Sequence, residues 1–417
     1  MSERADVLVL GAGAVGVPVA LHLQQRGRSV VLADRRGIAE ETSFGNAGII
    51  QREGIVPYMF PRAWAKLVRY ALKRGTEANY HVAALPRLAP WLWHYWRASS
   101  PERAAASARA LMPLIVRCID EHMALMRAAG VEAMARPTGY LKLYRSEARL
   151  AEALRSDADE HSRYGVNFRH LETADLAALE PSLVTDRLAG AIHMPDPVTV
   201  TDPRGLLQAY GAQFEAGGGR VARADARTLA RDGEGWQIAG ESGAIRAREV
   251  VVALGPWSTD FLARFAKRLP MAAKRGYHRH YGPAGTTRLG RPVIDVEHGY
   301  VLAPMTQGIR LTTGAEFALR DAPASPRQLA LAEPRAREIL PLAGPIEPTP
   351  WLGARPCFPD MLPAIGPLPG VPGLWLCCGH QHLGLTLGPV SARLLAEVMT
   401  GATPFTDATP YRVERFA

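Results

Sequence analysis

The chain has 417 residues, 47% of them apolar and 21% charged, which excludes a disordered or low-complexity protein and leaves room for two domains. Its formal charge of +9 suits an anionic cofactor, an acidic substrate or an anionic membrane surface, or follows from an arginine-rich composition alone. No basic run is interleaved with aromatics as nucleic-acid modules require, and Cys118, Cys357, Cys377 and Cys378 show neither metal-ligand spacing nor a disulfide framework. No nucleic-acid partner, no metal and a reducing compartment are therefore expected.

Residues 5–23 are almost uncharged and long enough to span a bilayer, but they hold Gly11, Gly13 and Gly16, lack a basic leader and start with a β-branched run. Strand, turn and helix explain the pattern better than a signal or anchor. Ala5 to Leu10 reads as a buried parallel strand, Gly11-Ala12-Gly13-Ala14-Val15-Gly16 as a tight turn, and Val17 to Arg26 as a helix. A second strand, Ser29 to Ala33, ends in Asp34 and Arg35. The three glycines act differently. Gly11 permits the turn, Gly13 lets the backbone approach a pyrophosphate, and Gly16 lets helix and strand pack closely. The helix N-terminus offers free N–H groups to phosphate, and Asp34 stands where a carboxylate accepts ribose hydroxyls. These residues imply a dinucleotide without separating FAD from NAD. The loop that follows, Glu40 to Ile50, is rich in small and hydroxyl side chains that suit contact with a second, bulkier half of a cofactor.

Residues 52–135 predict helices broken near Pro61, Pro86, Pro90 and Pro101. Trp64 to Arg74 carries basic and apolar residues at helical spacing, and Trp91, Trp93, Tyr95 and Trp96 form a second cluster. Such helices suit a membrane interface or a subdomain packed on the core. A strand is expected over 139–144, then a charged helix to about Tyr164, and strands over 219–229, 236–239 and 245–253, the last closing in Gly255. Residues 278–281, 300–304 and 309–316 alternate with β periodicity and suggest an antiparallel sheet. Near the end come a strand (374–378), a glycine loop (379–388) and a helix beginning at Pro389. The expected class is α/β: a Rossmann-like nucleotide-binding domain with a parallel sheet (1–50, 200–268 and 351–417), interrupted by an α+β substrate domain (51–199 and 269–350, with a helical segment at 60–130).

Six segments together resemble the FAD-dependent D-amino-acid oxidase and dehydrogenase superfamily, with bacterial D-amino-acid dehydrogenases of the D-hydroxyproline type most alike. They are GAGAVG, ETSFGNAGII, VVVALGPWS, GYVLAP, GARPCFPDMLPAIGP and GHQHLGLTLGP, in the family's order along nearly the whole chain. The resemblance implies FAD held by Gly11, Gly13, Ala14, Val15, Gly16, Asp34, Arg35, Ser43, Asn46, Ala47, Gly48, Gly255, Gly379, His382, Leu383, Gly384 and Thr386. It implies that Arg355 clamps a substrate carboxylate, because two parallel guanidinium donors match two carboxylate oxygens. Tyr300 is implied as a hydroxyl donor to the same carboxylate. His382 either donates to the flavin edge or merely packs. Cys357 is offset from the position at which some amine oxidases attach their flavin, so noncovalent FAD is expected.

The implied reaction is dehydrogenation of a D-amino acid, cyclic ones such as D-proline or hydroxy-D-proline included. Hydride passes from the α-carbon to flavin N5, giving an imino acid that hydrolyses to a 2-oxo acid, and no strong base is required. A glycine- or sarcosine-type amine oxidase or demethylase shares this pattern, and a non-catalytic flavin electron-relay subunit lies outside it. The implied acceptor is quinone or the respiratory chain, and the expected location cytoplasmic, with peripheral attachment to the inner membrane through residues 60–100 left open.

Overall fold

The protein is described by a computed structural model covering residues 4–72, 76 and 78–416, with only the backbone given at residues 65 and 66. Lys73 and Arg74, the end of the basic stretch read from the sequence, lie outside the described residues.

Two sheets form the framework. In the first, of eight strands, strand Ala5–Leu10 runs parallel to Val30–Asp34 on one side and to the end of Gly243–Val252 on the other. Strand Leu374–Cys378 continues the parallel arrangement beside Val250 to Val252. Val7, Leu8, Val9, Val250, Val251 and Val252 have no exposed surface, as expected of parallel strands covered on both faces. Helix Gly16–Gln24 packs against one face, and against it lies helix Gly384–Met399.

The second sheet has eleven strands and is mostly antiparallel, with two parallel pairings that the alternation pattern did not reveal. Its longest strand, Ala272–Pro283, pairs with Trp351–Cys357. The latter was grouped by sequence with the nucleotide domain, but hydrogen bonding assigns it to the other sheet. Residues 220–223 alone form the strand expected over 219–229, which then turns into a short 3-10 helix.

Proline positions differ from expectation. Pro86 and Pro101 sit in first helical turns, where no N–H partner is needed, and Pro90 lies inside helix Leu85–Ala98. Likewise Pro389 does not begin the last helix but lies within it. Its missing N–H would leave the Leu385 carbonyl unpaired, and His122 Nε2 donates to that oxygen instead at 2.6 Å. Burial drives the His122 pKa down to about 4, so the ring is neutral and can hold this tautomer.

The second sheet also buries an ion pair. Arg275 and Glu316 are both inaccessible to solvent, 2.5 Å apart, and Glu316 further accepts from the Tyr277 hydroxyl at 3.0 Å. Burial pushes the Glu316 pKa up, but hydrogen bonds from Ser325 and Arg275 outweigh it and hold the carboxylate below its usual range. Its stabilising contribution is therefore present above the unfolded carboxylate range and lost as pH falls below it. Arg275→Leu should cost about 3–5 kcal/mol, because it strands a buried charge, and the double change with Glu316→Met should recover most of that. Thermal melts of the flavin-loaded protein check this; equal losses in the single and double variants would show that the pair does not carry the effect.

Candidate active site

A cavity of about 810 Å3 opens where the first sheet meets the second, within the ~300–1,000 Å3 typical of ligand pockets. Its walls come from the Gly11 turn, Asp34 to Arg36, the Ser43 loop, Ala253 to Trp257, the Gly276 to His278 segment, Trp351 to Pro356, and Cys377 to Leu385. The Gly11, Asp34, Ala253 and Cys377 segments are the carboxyl ends of the first sheet's parallel strands, where open α/β sheets bind ligands.

The Gly11 turn has no room for side chains. Gly11 adopts φ +101°, and a Cβ there would lie 2.5 Å from the Ala253 carbonyl oxygen. A Cβ on Gly13 would meet the Ser43 hydroxyl at 2.9 Å, and Ser43 Oγ already accepts the Ala14 N–H at 2.9 Å. Asp34 lines the cavity with its carboxylate anchored: Oδ2 accepts from Ala12 N at 2.9 Å, and Oδ1 from Arg36 N at 2.7 Å. Arg35, Arg36, Arg227 and Arg320 rim this end, and Trp257 packs under the guanidinium groups of Arg35 and Arg320 at 4.9 and 5.5 Å.

The opposite end lies on the second sheet. Facing pairs of two antiparallel strands present His278 with Trp351, Gly276 with Gly353, and Lys274 with Arg355. The glycine pair lets neighbouring side chains lie flat on the strands: a Cβ on Gly353 would meet the Trp351 ring at 2.0 Å and one on Gly276 the Arg355 guanidinium at 2.7 Å, while His278 stacks on Trp351 at 4.7 Å. Arg355 donates only to the carbonyls of Gly314 and Thr313, at 3.2 and 3.3 Å, and has no carboxylate partner among the described residues. Burial lowers the pKa of Arg355 but leaves it a cation.

Four buried polar atoms on lining residues, His278 Nδ1, Thr312 Oγ1, His380 Nε2 and Gln381 Oε1, lack partners among the described residues. Backbone clearance at Gly11 and Gly13, an anchored acid at Asp34 and these waiting polar atoms fit a dinucleotide carrying a flat polar ring system. His382 is half-buried, in ring contact with Tyr58 at 5.0 Å. Burial, then Arg355 and Lys274, push its pKa down to about 3, so it is a neutral donor or acceptor rather than a cation.

Of the residues singled out by sequence, Gly11, Gly13, Ala14, Val15, Asp34, Arg35, Ser43, Asn46, Gly255, Gly379, His382, Gly384 and Arg355 line this cavity. Gly16 and Gly48 do not: a Cβ would lie 1.7 Å from the Gly11 oxygen in one and 2.0 Å from the Val200 oxygen in the other, so both serve close packing. Ala47 is likewise off the wall, Leu383 is buried in the first core, and the Thr386 hydroxyl accepts the Gln51 N–H at 3.1 Å. Tyr300 needs correction. It packs in the core of the second sheet, where burial and then Asp295 raise its pKa, and it is not brought to the cavity with Arg355. Asp295 and its 2.9 Å partner Arg145 occupy the side toward which the phenol is directed. Sequence reasoning assigned no role to Trp257, His278, Trp351 or His380, although Trp257 and His380 lie inside the motifs VVVALGPWS and GHQHLGLTLGP.

Residues 6–398 match the family described as FAD dependent oxidoreductase, of the DAO type. The chain belongs to this family. It is an FAD-dependent oxidoreductase. It is 30% identical over 425 residues to a D-amino acid dehydrogenase of Chromohalobacter salexigens, covering 99% of this chain and 100% of that protein. It is 28% identical to D-amino acid dehydrogenase 1 of Mesorhizobium japonicum, covering 99% of each. Glycine oxidase from Geobacillus kaustophilus shares the fold, with TM-score 0.72, 21% identity and 99% of each chain covered. L-proline dehydrogenase from P. horikoshii does too, with TM-score 0.74 and 17% identity over 100% of this chain and 98% of that one.

Cys357 is off the cavity wall, and burial pushes its thiol pKa up, which disfavours the thiolate needed for a covalent attachment. Denaturation should therefore release FAD intact and leave the polypeptide at its unmodified mass. Gly13→Val should give a folded protein without flavin, read as a native circular-dichroism spectrum with loss of the visible flavin bands; a fully loaded variant would show that this turn does not face the pyrophosphate.

Proposed function

We propose that the protein dehydrogenates D-amino acids and passes the electrons to a quinone. The single observation that carries this reading is Arg355, a cation on the wall of the cofactor cavity with no carboxylate partner among the described residues. End-to-end similarity to two D-amino acid dehydrogenases supports the choice of substrate class. FAD, when bound, supplies the two-electron acceptor.

The chain's own residues then bind and orient. Arg355, laid over Gly276, receives the substrate carboxylate through two parallel donors. His380 and His382 are both neutral, their pKa values pushed to about 3 by burial, so neither adds charge to the substrate amine. A substrate amine that is neutral when bound needs no further base. Arg355→Leu should raise KM by at least about a hundredfold, the scale of losing a charge-assisted pair, while FAD stays bound. Anaerobic flavin bleaching by D-proline, D-alanine and sarcosine, with no partner protein added, is the deciding panel. Bleaching by sarcosine alone would replace the substrate assignment, and no bleaching at all would favour an electron-relay role.

The quinone reading rests on the surface between residues 56 and 97. Trp64, Val68 and Leu72, at four-residue spacing, are 81%, 55% and 53% exposed. Trp93 and Trp96 stack at 5.2 Å on the same segment's outer side, with the Arg62 guanidinium 4.9 Å over Trp96. Their neighbours Trp91 and Tyr95 instead turn inward and are buried. Exposed tryptophans with arginines suit the interface of an anionic bilayer, while no helix among the described residues is long and apolar enough to cross one. Phosphatidylglycerol vesicles should sediment the wild type but not a Trp64→Glu/Trp93→Glu variant, whose turnover with a soluble dye should be unchanged. Stoichiometric peroxide production in air would instead make oxygen the acceptor.

A further inference from the structure

Beyond Arg355 on the same sheet face lies a second cation that the proposed chemistry does not use. Lys274 is the residue paired directly opposite Arg355, so the two side chains project from the same face as Gly276 and His278; Arg355 lines the cavity and Lys274 lies just behind that lining. Lys274 is only 9% exposed. Its ammonium lies 4.1 Å from the ring of Tyr95, 5.4 Å from Trp91 and 5.7 Å from Phe317, the two inward-facing aromatics of helix Leu85–Ala98 closing the box from above. The groups around it are the Arg355 guanidinium, the Cys357 thiol and the His382 imidazole. Among the described residues no carboxylate pairs with Lys274, and none pairs with Arg355.

Two buried cations side by side without an anion are costly, and rings alone offset only part of it, since a cation over an aromatic face gains about 0.5–2 kcal/mol. A methionine would fill the same space without the charge. Burial, reinforced by Arg355, lowers the Lys274 pKa to about 8, so the ammonium is charged at neutral pH yet gains from any anion placed beside it. The geometry points to a substrate with two carboxylates: Arg355 takes the α-carboxylate and Lys274, in its aromatic box, takes the carboxylate of an acidic side chain. The rings of Trp91, Tyr95 and Phe317 would cover the methylene groups between them. This deepens the D-amino-acid reading by naming the substrate class, amino acids of the aspartate and glutamate type, and Lys274 as the residue that selects it.

The test uses the FAD-loaded full chain and two independent readouts. In anaerobic flavin reduction, D-glutamate or D-aspartate should exceed its own amide, D-glutamine or D-asparagine, by at least about tenfold in kcat/KM, as expected for a site built to pair a buried cation. Lys274→Met should collapse that ratio toward one, Lys274→Arg should retain part of it, and both should keep their FAD. In equilibrium titrations followed by perturbation of the flavin spectrum, glutarate or succinate should bind the wild type at least about tenfold more tightly than Lys274→Met, and butyrate should bind both alike. Amides used as well as acids, with a ratio unmoved in Lys274→Met and Lys274→Arg, would overturn the inference and leave Lys274 as a cation held by rings alone. If no D-amino acid reduces the flavin, the substrate reading fails. The dicarboxylate titration still decides separately whether Lys274 is an anion subsite: an unchanged glutarate and succinate affinity in both variants refutes it.

Discussion

The antiparallel pairing of strand Ala272–Pro283 with strand Trp351–Cys357 decides what the cofactor cavity presents. Side chains alternate between the two faces of a sheet, so the pairing of Lys274 with Arg355, Gly276 with Gly353 and His278 with Trp351 puts two cations, a glycine pair and two rings in one row. A slip of one residue in either strand would break those facing pairs and turn a whole row from cavity to core. Arg275 and Tyr277 occupy the alternate positions, and their partners are fixed: Arg275 is tied to Glu316, and the Tyr277 hydroxyl to the same carboxylate. The buried ion pair thus makes the wrong register expensive, which is a way for a polar core group to specify one arrangement. Arg310 adds a second lock by donating from the neighbouring strand to the carbonyl of Phe44 at 3.0 Å, which ties the cofactor loop of the first sheet to the second.

The first and last motifs of the chain are equally interdependent. A Cβ on Gly388 would lie 1.9 Å from the Ala14 oxygen, so helix Gly384–Met399 crosses the Gly11 turn at backbone contact. That contact places the N-terminus of the last helix at the cavity, where Gly384 and Leu385 line the wall. Distortion of this helix at Pro389 is absorbed by His122, a residue from the helical segment, so three distant stretches of sequence cooperate in one helix terminus.

What was legible in the sequence was what is local. Glycine spacing, an apolar strand and an acid ending the next strand need only near neighbours, and the turn from Gly11 to Gly16 forms as those residues alone require. Tyr300 shows the opposite case. Its motif places it on a strand, but which face it takes depends on Asp295 and Arg145, partners that no local pattern names. Trp91 and Tyr95 were visible as part of a tryptophan cluster, but the split between an inward pair and the outward Trp93 and Trp96 appears only when the helix has a sheet to lie on. Lys274 carried no signal at all, because its meaning comes from Arg355 across the ladder.

Charge balance links these features. Burial removes the charge from His278, His380 and His382, whose pKa values are pushed down to between about 2 and 3, so the imidazoles around the cavity do not repel the nearby cations. Carboxylates in the fold are spoken for: Asp34 by backbone N–H groups, Glu316 by Arg275, Asp295 by Arg145. Arg355 on this wall and Lys274 just behind it have no carboxylate partner among the described residues. A low-dielectric site with unquenched cations draws its counter-charge from whatever binds there. On the proposed dicarboxylate reading, the ligand's own anionic groups complete the electrostatics of the site, and the sheet register that sets Arg355 opposite Lys274 sets the spacing at which they are carried.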